Sequence, residues 1–115
     1  MYDRPDFHAL LSRPVAGVAV VEVEGEVDLY TSPRLRELLF DAIQDGSAKV
    51  VVDLTDVSFI DSSGLGVLVG SARTLGPRGE VITIVCGPGV VARALEITGL
   101  GGIFAIHPPR DADSV

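Results

Sequence analysis

The chain has 115 residues, nine basic and sixteen acidic, with a formal net charge of −7 at pH 7. This length indicates one domain, since typical domains have roughly 100–150 residues, and an apolar content of 47% suits a packed core. The excess of acid disfavours binding to a phosphate backbone or an anionic membrane surface. One cysteine and two histidines exclude an intrachain disulfide and leave too few ligands for a Cys/His zinc site.

The first half of the chain predicts two strands, a helix and a third strand. Residues 1–6 are expected to form a flexible arm, followed by a weak strand over 7–11 and a better one over 18–23. Ser32 is a candidate helix N-cap, and Pro33 suits the first helical position. One apolar stripe at helical spacing follows, made of Leu35, Leu38, Leu39, Ala42 and Ile43. Gly46 closes this helix, and residues 50–54 form a β-branched run typical of a buried strand.

The second half alternates helices and strands. Residues 59–64 are expected to be a tight connection into a second helix, whose inner stripe is Leu65, Leu68, Val69, Ala72 and Leu75. Residues 76–79 stop that helix, and 81–86 form a buried strand. Pro88 opens a third helix with Val91, Ala94 and Leu95 inside, and Gly99 is its candidate left-handed C-cap. Residues 103–106 form the last strand, and 108–115 form a short tail. Helices alternating with strands predict an α/β domain with a mostly parallel sheet and one edge hairpin.

Enzymatic sites are poorly supported by the sequence. Ser62 and Ser63 lack a nearby histidine base and do not lie in a Gly-x-Ser-x-Gly elbow. The glycines at 64, 66 and 70 are out of register with the dinucleotide fingerprint, and no acidic residue ends the next strand. A small nucleotide-binding protein stays open as a minor alternative.

The side of the predicted second helix that lies opposite its apolar stripe has few large side chains. The residues opposite the inner stripe are Gly66, Val67, Gly70, Arg73 and Thr74. Each interior glycine costs roughly 0.5–1 kcal/mol relative to alanine. We therefore expect something to approach this side closely, with an exposed Val67 supplying apolar contact. This side is predicted to dock another protein.

Acidic and hydroxyl groups follow two of the predicted strands. Asp28 and Asp61 each come after a strand, so both are expected at the carboxyl edge of the sheet, beside Ser62. Asp61, Ser62 or Ser63 can also serve as the helix N-cap. A phosphate on Ser62 would add roughly −1.5 to −2 charges at a helix N-terminus, which accepts anions. A partner pressed against that surface would have to bury the new charge and would be released.

Three motifs resemble the STAS-domain anti-sigma factor antagonists. The phosphorylation loop and following helix of that family resemble Asp61-Ser62-Ser63-Gly64-Leu65-Gly66-Val67-Leu68. Their G-E-[LV]-D motif resembles Gly25-Glu26-Val27-Asp28, and their helix-ending T-G-L resembles Thr98-Gly99-Leu100. The resemblance covers residues 8 to 107, with all three motifs at family-like spacing.

The resemblance implies a bacterial partner-switching protein without a cofactor or catalytic residues. Its unphosphorylated form would bind an anti-sigma factor that is also a serine kinase, and so release the sigma factor. Phosphorylation of Ser62, with Ser63 as a secondary candidate, would abolish binding, and a metal-dependent serine phosphatase would reverse it. Asp28, Asp61, Ser62, Ser63 and Gly64 would face the partner, together with Gly66, Val67, Gly70 and Arg73.

The same resemblance implies an α/β, STAS-like single domain over residues 7–107. Its mixed, mostly parallel sheet would have four or five strands, with three to four helices packed mainly on one side. A last helix common in the family has little room after Pro108 and Pro109. The location is expected to be cytoplasmic, with no nucleic-acid or membrane partner, and the protein a monomer or weak dimer. A STAS scaffold protein in another signalling assembly is the main alternative.

Overall fold

A computed structural model describes residues 6–78 and 81–109. Its elements in chain order are β1 (His8–Val15), β2 (Val18–Val27), α1 (Ser32–Gln44), β3 (Lys49–Ile60), α2 (Ser62–Leu75), β4 (Thr83–Val85), α3 (Val90–Thr98) and β5 (Ala105–His107). Short 3₁₀ turns occupy Gly76–Arg78 and Leu100–Ile103. Most of the predicted arm (residues 1–5), Gly79 and the tail from residue 110 lie outside the described residues.

The five strands form one sheet in the order β1-β2-β3-β4-β5. β1 is antiparallel to β2, and the other three pairs are parallel, which confirms the predicted mixed sheet and edge hairpin. One face of the sheet is buried, and it carries Ala19, Val21, Val23, Val50, Val52, Leu54 and Ile84. These side chains share one core with the inner residues of the three helices. From β2 to β5 the strand order follows the chain order, so crossovers of the usual hand place the three helices on this same face.

The stripe predicted for α1 is confirmed, because Leu35, Leu38, Leu39, Ala42 and Ile43 are all buried. The predicted N-cap was one residue late. Thr31 is the N-cap, and its side chain does not cap the helix. Instead, a carboxylate three residues earlier, described below, accepts the Thr31 backbone N–H.

β2 and β3 run further than the sequence predicts, to Val27 and Ile60 instead of residues 23 and 54. Two irregularities in the register, between Glu22 and Glu24 and between Gly25 and Glu26, let the pairing continue where the alternation of apolar residues breaks down. Gly25 has φ +95°, and a side chain there would collide with the backbone carbonyl of Asp6. With these two irregularities in register, the pairing of β2 and β3 ends with Val27 directly beside Ile60.

The last two strands are shorter than predicted, with three residues each. The final strand also begins two residues later, because residues 100–103 form a 3₁₀ turn behind the third helix. Gly99 is the left-handed C-cap with φ 72°, as predicted. The third helix begins at Val90 and not at Pro88, with Gly89 as its N-cap.

The glycines of α2 have unequal surroundings. Gly64 is buried, and a Cβ there would lie 2.6 Å from Val27 Cγ1 and 2.9 Å from Ile60 Cγ1. A Cβ at Gly66 or Gly70 would meet nothing within 4 Å. Within residues 6–78 and 81–109, nothing packs closely against Gly66 or Gly70, whereas core side chains pack closely against Gly64. The expectation that another protein approaches Gly66 and Gly70 stays a prediction.

Substituting these glycines by alanine should have opposite effects on stability. Gly64→Ala should lower the free energy of unfolding by roughly 1–3 kcal/mol, because Val27 and Ile60 are packed core side chains that would have to shift. Gly66→Ala should raise it by roughly 0.5–1 kcal/mol, because alanine favours the helix and has open space. Urea denaturation of both variants measures this, and a Gly64→Ala variant as stable as Gly66→Ala would contradict the packing.

Candidate functional site

The site lies where β2 and β3 end side by side. After the last paired residues, Val27 and Ile60, the Asp61 N–H donates to the Val27 carbonyl at 3.1 Å. Asp28 and Asp61 are thus the next residues of two neighbouring parallel strands, which are spaced about 4.8 Å apart. The prediction that both carboxylates share the carboxyl edge of the sheet is confirmed.

Asp28 is only 7% exposed, and its carboxylate organises the turn into α1. Its Oδ1 accepts the Tyr30 N–H at 2.9 Å, the Thr31 N–H at 3.1 Å and the Thr31 hydroxyl at 3.3 Å. The Thr31 hydroxyl is in turn within hydrogen-bond distance of the Asp28 N–H (2.9 Å) and the Glu26 carbonyl (2.8 Å). The Asp28 carboxylate therefore stabilises the turn at this edge from the protein interior, and little of its surface is accessible to a partner.

Asp61 and Ser62 open α2. Asp61 is the N-cap, and its Oδ1 accepts the Ser63 N–H at 2.9 Å. Ser62 is the first helical residue and is exposed, whereas Ser63 is partly buried. The helix has no acidic residue in its first turn. Ser62 is therefore accessible from solvent, and it lies at the positive end of the α2 helix dipole.

Large apolar side chains are exposed around this edge. Leu29 and Tyr30 are 67% and 62% exposed in the turn after Asp28, and Phe59 is 45% exposed near the end of β3. Sequence reasoning missed all three. Their position beside the Gly25–Asp28 and Asp61–Gly64 motifs was the available signal, because an exposed apolar patch rimmed by polar residues marks an interaction site.

A groove of about 460 Å³ runs between α1 and α2. Its lining residues are Arg36, Phe40, Ile43, Gln44, Gly66, Val67, Gly70, Ser71, Thr74 and Arg78. Val67 is only 6% exposed, so the expectation of an exposed valine was wrong. The reason is that α1 packs along this side of α2 and covers the valine, whereas Gly66 and Gly70 remain exposed.

The predicted site residues thus fall into separate places. Asp28, Asp61, Ser62 and Ser63 meet at the sheet edge, and Gly66, Val67 and Gly70 line the groove. Gly64 is buried against the sheet, and Arg73 is exposed in the last turn of α2. The glycines therefore do not form one phosphate-binding turn, which counts against the nucleotide alternative. Sequence reasoning missed Arg36 and Phe40, although an aromatic residue outside the apolar stripe of α1 was a visible signal.

The two histidines and the cysteine lie on or beside other strands. His8 and His107 are on the two outermost strands, β1 and β5, and neither strand pairs with β3, which leads into Ser62. Cys86 is buried, and this burial raises the pKa of its thiol. The negative charge of the nearby Asp53 raises the pKa further. Among residues 6–78 and 81–109, no group of three or more His, Cys, Asp and Glu side chains is arranged to hold a metal ion. No helix in this described part has the length and apolar composition that crossing a membrane requires.

Comparison with known proteins agrees with this geometry. The STAS domain family model matches residues 12–112. An anti-sigma-B factor antagonist of Staphylococcus aureus (strain NCTC 8325 / PS 47) is 38% identical over 93 residues, covering 81% of this chain and 86% of that protein. The chain belongs to the STAS domain family.

Solved structures resemble the whole fold. An anti-sigma factor antagonist from Mycobacterium paratuberculosis superposes with a TM-score of 0.82 at 30% identity, covering 98% of this chain and 95% of that one. The anti-sigma factor antagonist SpoIIAA in its unphosphorylated form has a TM-score of 0.77 at 21% identity, covering 93% and 92%. The second likeness concerns the fold alone. The predicted STAS-like architecture is confirmed.

The role of Asp28 can be separated from that of a surface carboxylate. Asp28→Ala should lower the free energy of unfolding by roughly 1–2 kcal/mol, because the turn N–H groups lose their acceptor. Asp28→Asn should recover most of this loss, since its amide oxygen can still accept. Asp41→Ala, at an exposed position of α1, is the matched control and should have little effect. Urea denaturation distinguishes them, and an Asp28→Ala variant as stable as the control would contradict this role.

Proposed function

We propose that this chain is an anti-sigma factor antagonist whose binding is switched by phosphorylation of Ser62. In its unphosphorylated form it binds an anti-sigma factor and thereby releases the sigma factor. Membership of the STAS domain family and the names of relatives 38% and 30% identical support the antagonist function. The resemblance of Asp61–Gly64 to the family's phosphorylation loop supports the switch.

One observation carries the choice of Ser62: its side chain is exposed at the first position of α2. The neighbouring Asp61 caps that helix, and its backbone N–H donates to the Val27 carbonyl. These hydrogen bonds hold the backbone next to Ser62 in place. Ser63 is less accessible, because it is partly buried. Ser62 is therefore the primary acceptor and Ser63 the secondary one.

The energetics of a phosphate on Ser62 differ between the free protein and a complex. In the free protein, the helix N-terminus favours the anion by roughly 0.3–1 kcal/mol, and repulsion from Asp61 opposes it across exposed, solvent-screened space. In a complex, the partner would have to desolvate roughly −1.5 to −2 charges without a prepared counter-charge, at a cost of several kcal/mol. Since 1.4 kcal/mol is tenfold in affinity, one phosphate is sufficient to release the partner.

The chemistry of the switch belongs to the partners. We propose that the anti-sigma factor is itself the serine kinase and transfers the γ-phosphoryl group of ATP, with its Mg²⁺, to Ser62 Oγ while ADP leaves. A metal-dependent serine phosphatase would then hydrolyse the phosphoserine. This chain supplies only the acceptor hydroxyl and the surface around it, and it acts in the cytoplasm, where sigma factors work. Leu29, Tyr30 and Phe59 provide apolar contact next to the acceptor.

Phosphate mapping and calorimetry test the proposal together. Incubation with the anti-sigma factor and ATP should place phosphate on Ser62, and Ser62→Ala should remove most of it. Ser62→Ala should bind the anti-sigma factor as tightly as the unmodified chain does, whereas Ser62→Glu should bind at least about tenfold more weakly. Ala16→Glu, which adds the same charge in the exposed turn between β1 and β2 at the opposite end of the sheet, shows how much of the loss is specific to Ser62.

Two results would reject the proposal. Phosphate on neither Ser62 nor Ser63 would exclude the switch. Equal affinities of the unmodified chain, Ser62→Ala and Ser62→Glu would exclude the electrostatic mechanism.

A further inference from the structure

The groove between α1 and α2 has a charge opposite to that of the whole protein. Arg36 and Arg78 line it, and none of the described residues that line it is acidic. Arg78 also donates from Nη1 to the Ile43 carbonyl at 3.4 Å. α1 has two arginines balanced by two acidic residues, whereas α2 and the turn behind it carry Arg73 and Arg78 and no acidic residue. On a chain with a net charge of −7, this is a locally basic surface that attracts acidic groups.

The floor and wall of the groove are apolar and open. Phe40 is 59% exposed, so its aromatic ring is available for apolar contact. The buried Val67 and Ile43 line the same groove, and Gly66 and Gly70 leave the α2 backbone without side-chain cover. Arg36 and Phe40 also line a second cavity, which they share with Glu37 and Asp41. Glu37 is paired with Arg34 at 3.0 Å, and neither acidic residue of α1 lines the groove itself.

The groove is continuous with the phosphorylation site. Ser62, Gly66, Gly70 and Thr74 are spaced by four residues, so they form one exposed row that drifts slowly around α2. At 1.5 Å per residue, the row is about 18 Å long, and Gly66 lies about one helical turn from Ser62. A protein segment seated in the groove would therefore reach the acceptor serine.

We propose that this groove binds a segment of the anti-sigma factor that presents apolar side chains flanked by carboxylates. Apolar groups pack on Phe40 and on the bare backbone at Gly66 and Gly70, while the carboxylates pair with Arg36 and Arg78. Phosphoserine at position 62 then repels those same carboxylates, so the groove and the switch act on one segment. This proposal rests on the proposed function and names the surface that the partner uses.

Two variants test the groove without disturbing the fold. Arg36→Glu reverses one charge at an exposed position, and Gly70→Leu fills the groove with a good helix former that has open space around it. The matched controls are Arg93→Glu on α3 and Gly102→Leu in the 3₁₀ turn, both exposed and outside the groove. The probe is the purified anti-sigma factor that phosphorylates Ser62, and affinity is measured by calorimetry at low and high salt.

Arg36→Glu and Gly70→Leu should each weaken binding by about tenfold or more. The thermal unfolding midpoint of Gly70→Leu should be no lower than that of the unmodified chain. Arg93→Glu and Gly102→Leu should bind within about twofold of it. The effect of Arg36→Glu should shrink at high salt, because screening weakens charge pairs between exposed groups.

The alternative outcomes are distinct. If both groove variants bind as tightly as their controls while Ser62→Glu still fails to bind, the groove proposal is wrong and the proposed function stands. If Ser62→Glu binds as well as the unmodified chain, the proposed function fails whatever the groove variants do. If Gly70→Leu changes self-association in sedimentation and not the affinity for the anti-sigma factor, the groove is an interface between copies, which also overturns the proposal.

Discussion

The pairing of two parallel strands through Val27 and Ile60 determines the position of every other group at the site. Because the hydrogen bonds of this pairing are made by the backbone, including the one from Asp61 N–H to the Val27 carbonyl, they do not depend on the charge of nearby side chains. The pairing aligns the start of α1 with the start of α2. It also explains why Gly64 must be glycine, since the first turn of α2 lies directly on both of these side chains.

The two carboxylates at this edge do different work despite their similar positions. Asp28 is buried and fastens the turn into α1, and Asp61 caps α2 from the surface. Asp61 satisfies an N–H group in the first turn of α2, and Asp28 satisfies two N–H groups of the turn that leads into α1. These hydrogen bonds hold the backbone at the edge of the sheet, where the Ser62 hydroxyl is exposed. Phosphorylation of that hydroxyl would change the surface charge and leave the backbone conformation unchanged.

Charge is also distributed unevenly on the outer surface. The acidic edge around Asp61 passes within one helical turn into a groove that carries Arg36 and Arg78. A phosphate at Ser62 would extend the acidic region to the mouth of that groove. The proposed switch thus depends on two neighbouring surface regions of opposite charge. Salt should weaken the electrostatic effect of both regions on a bound partner.

Sequence reasoning succeeded where periodicity is local and failed where packing is not. The α1 stripe, the Gly99 cap and the place of Ser62 follow from spacing and capping chemistry within one element. The ends of β2 and β3 were missed because register shifts at Glu22–Glu24 and Gly25–Glu26 interrupt the alternation that marks a strand. Val67 was misplaced because its burial depends on α1, a second packing partner that the pattern of α2 alone does not reveal.

The most direct test of this account is the free energy of unfolding of the chain phosphorylated on Ser62, measured against the unphosphorylated chain by urea denaturation at neutral pH. A backbone-held edge with an exposed acceptor predicts that the two values agree within about 1 kcal/mol. A loss of about 3 kcal/mol or more would mean that the phosphate acts by disrupting the fold. That result would contradict a switch located at the binding surface.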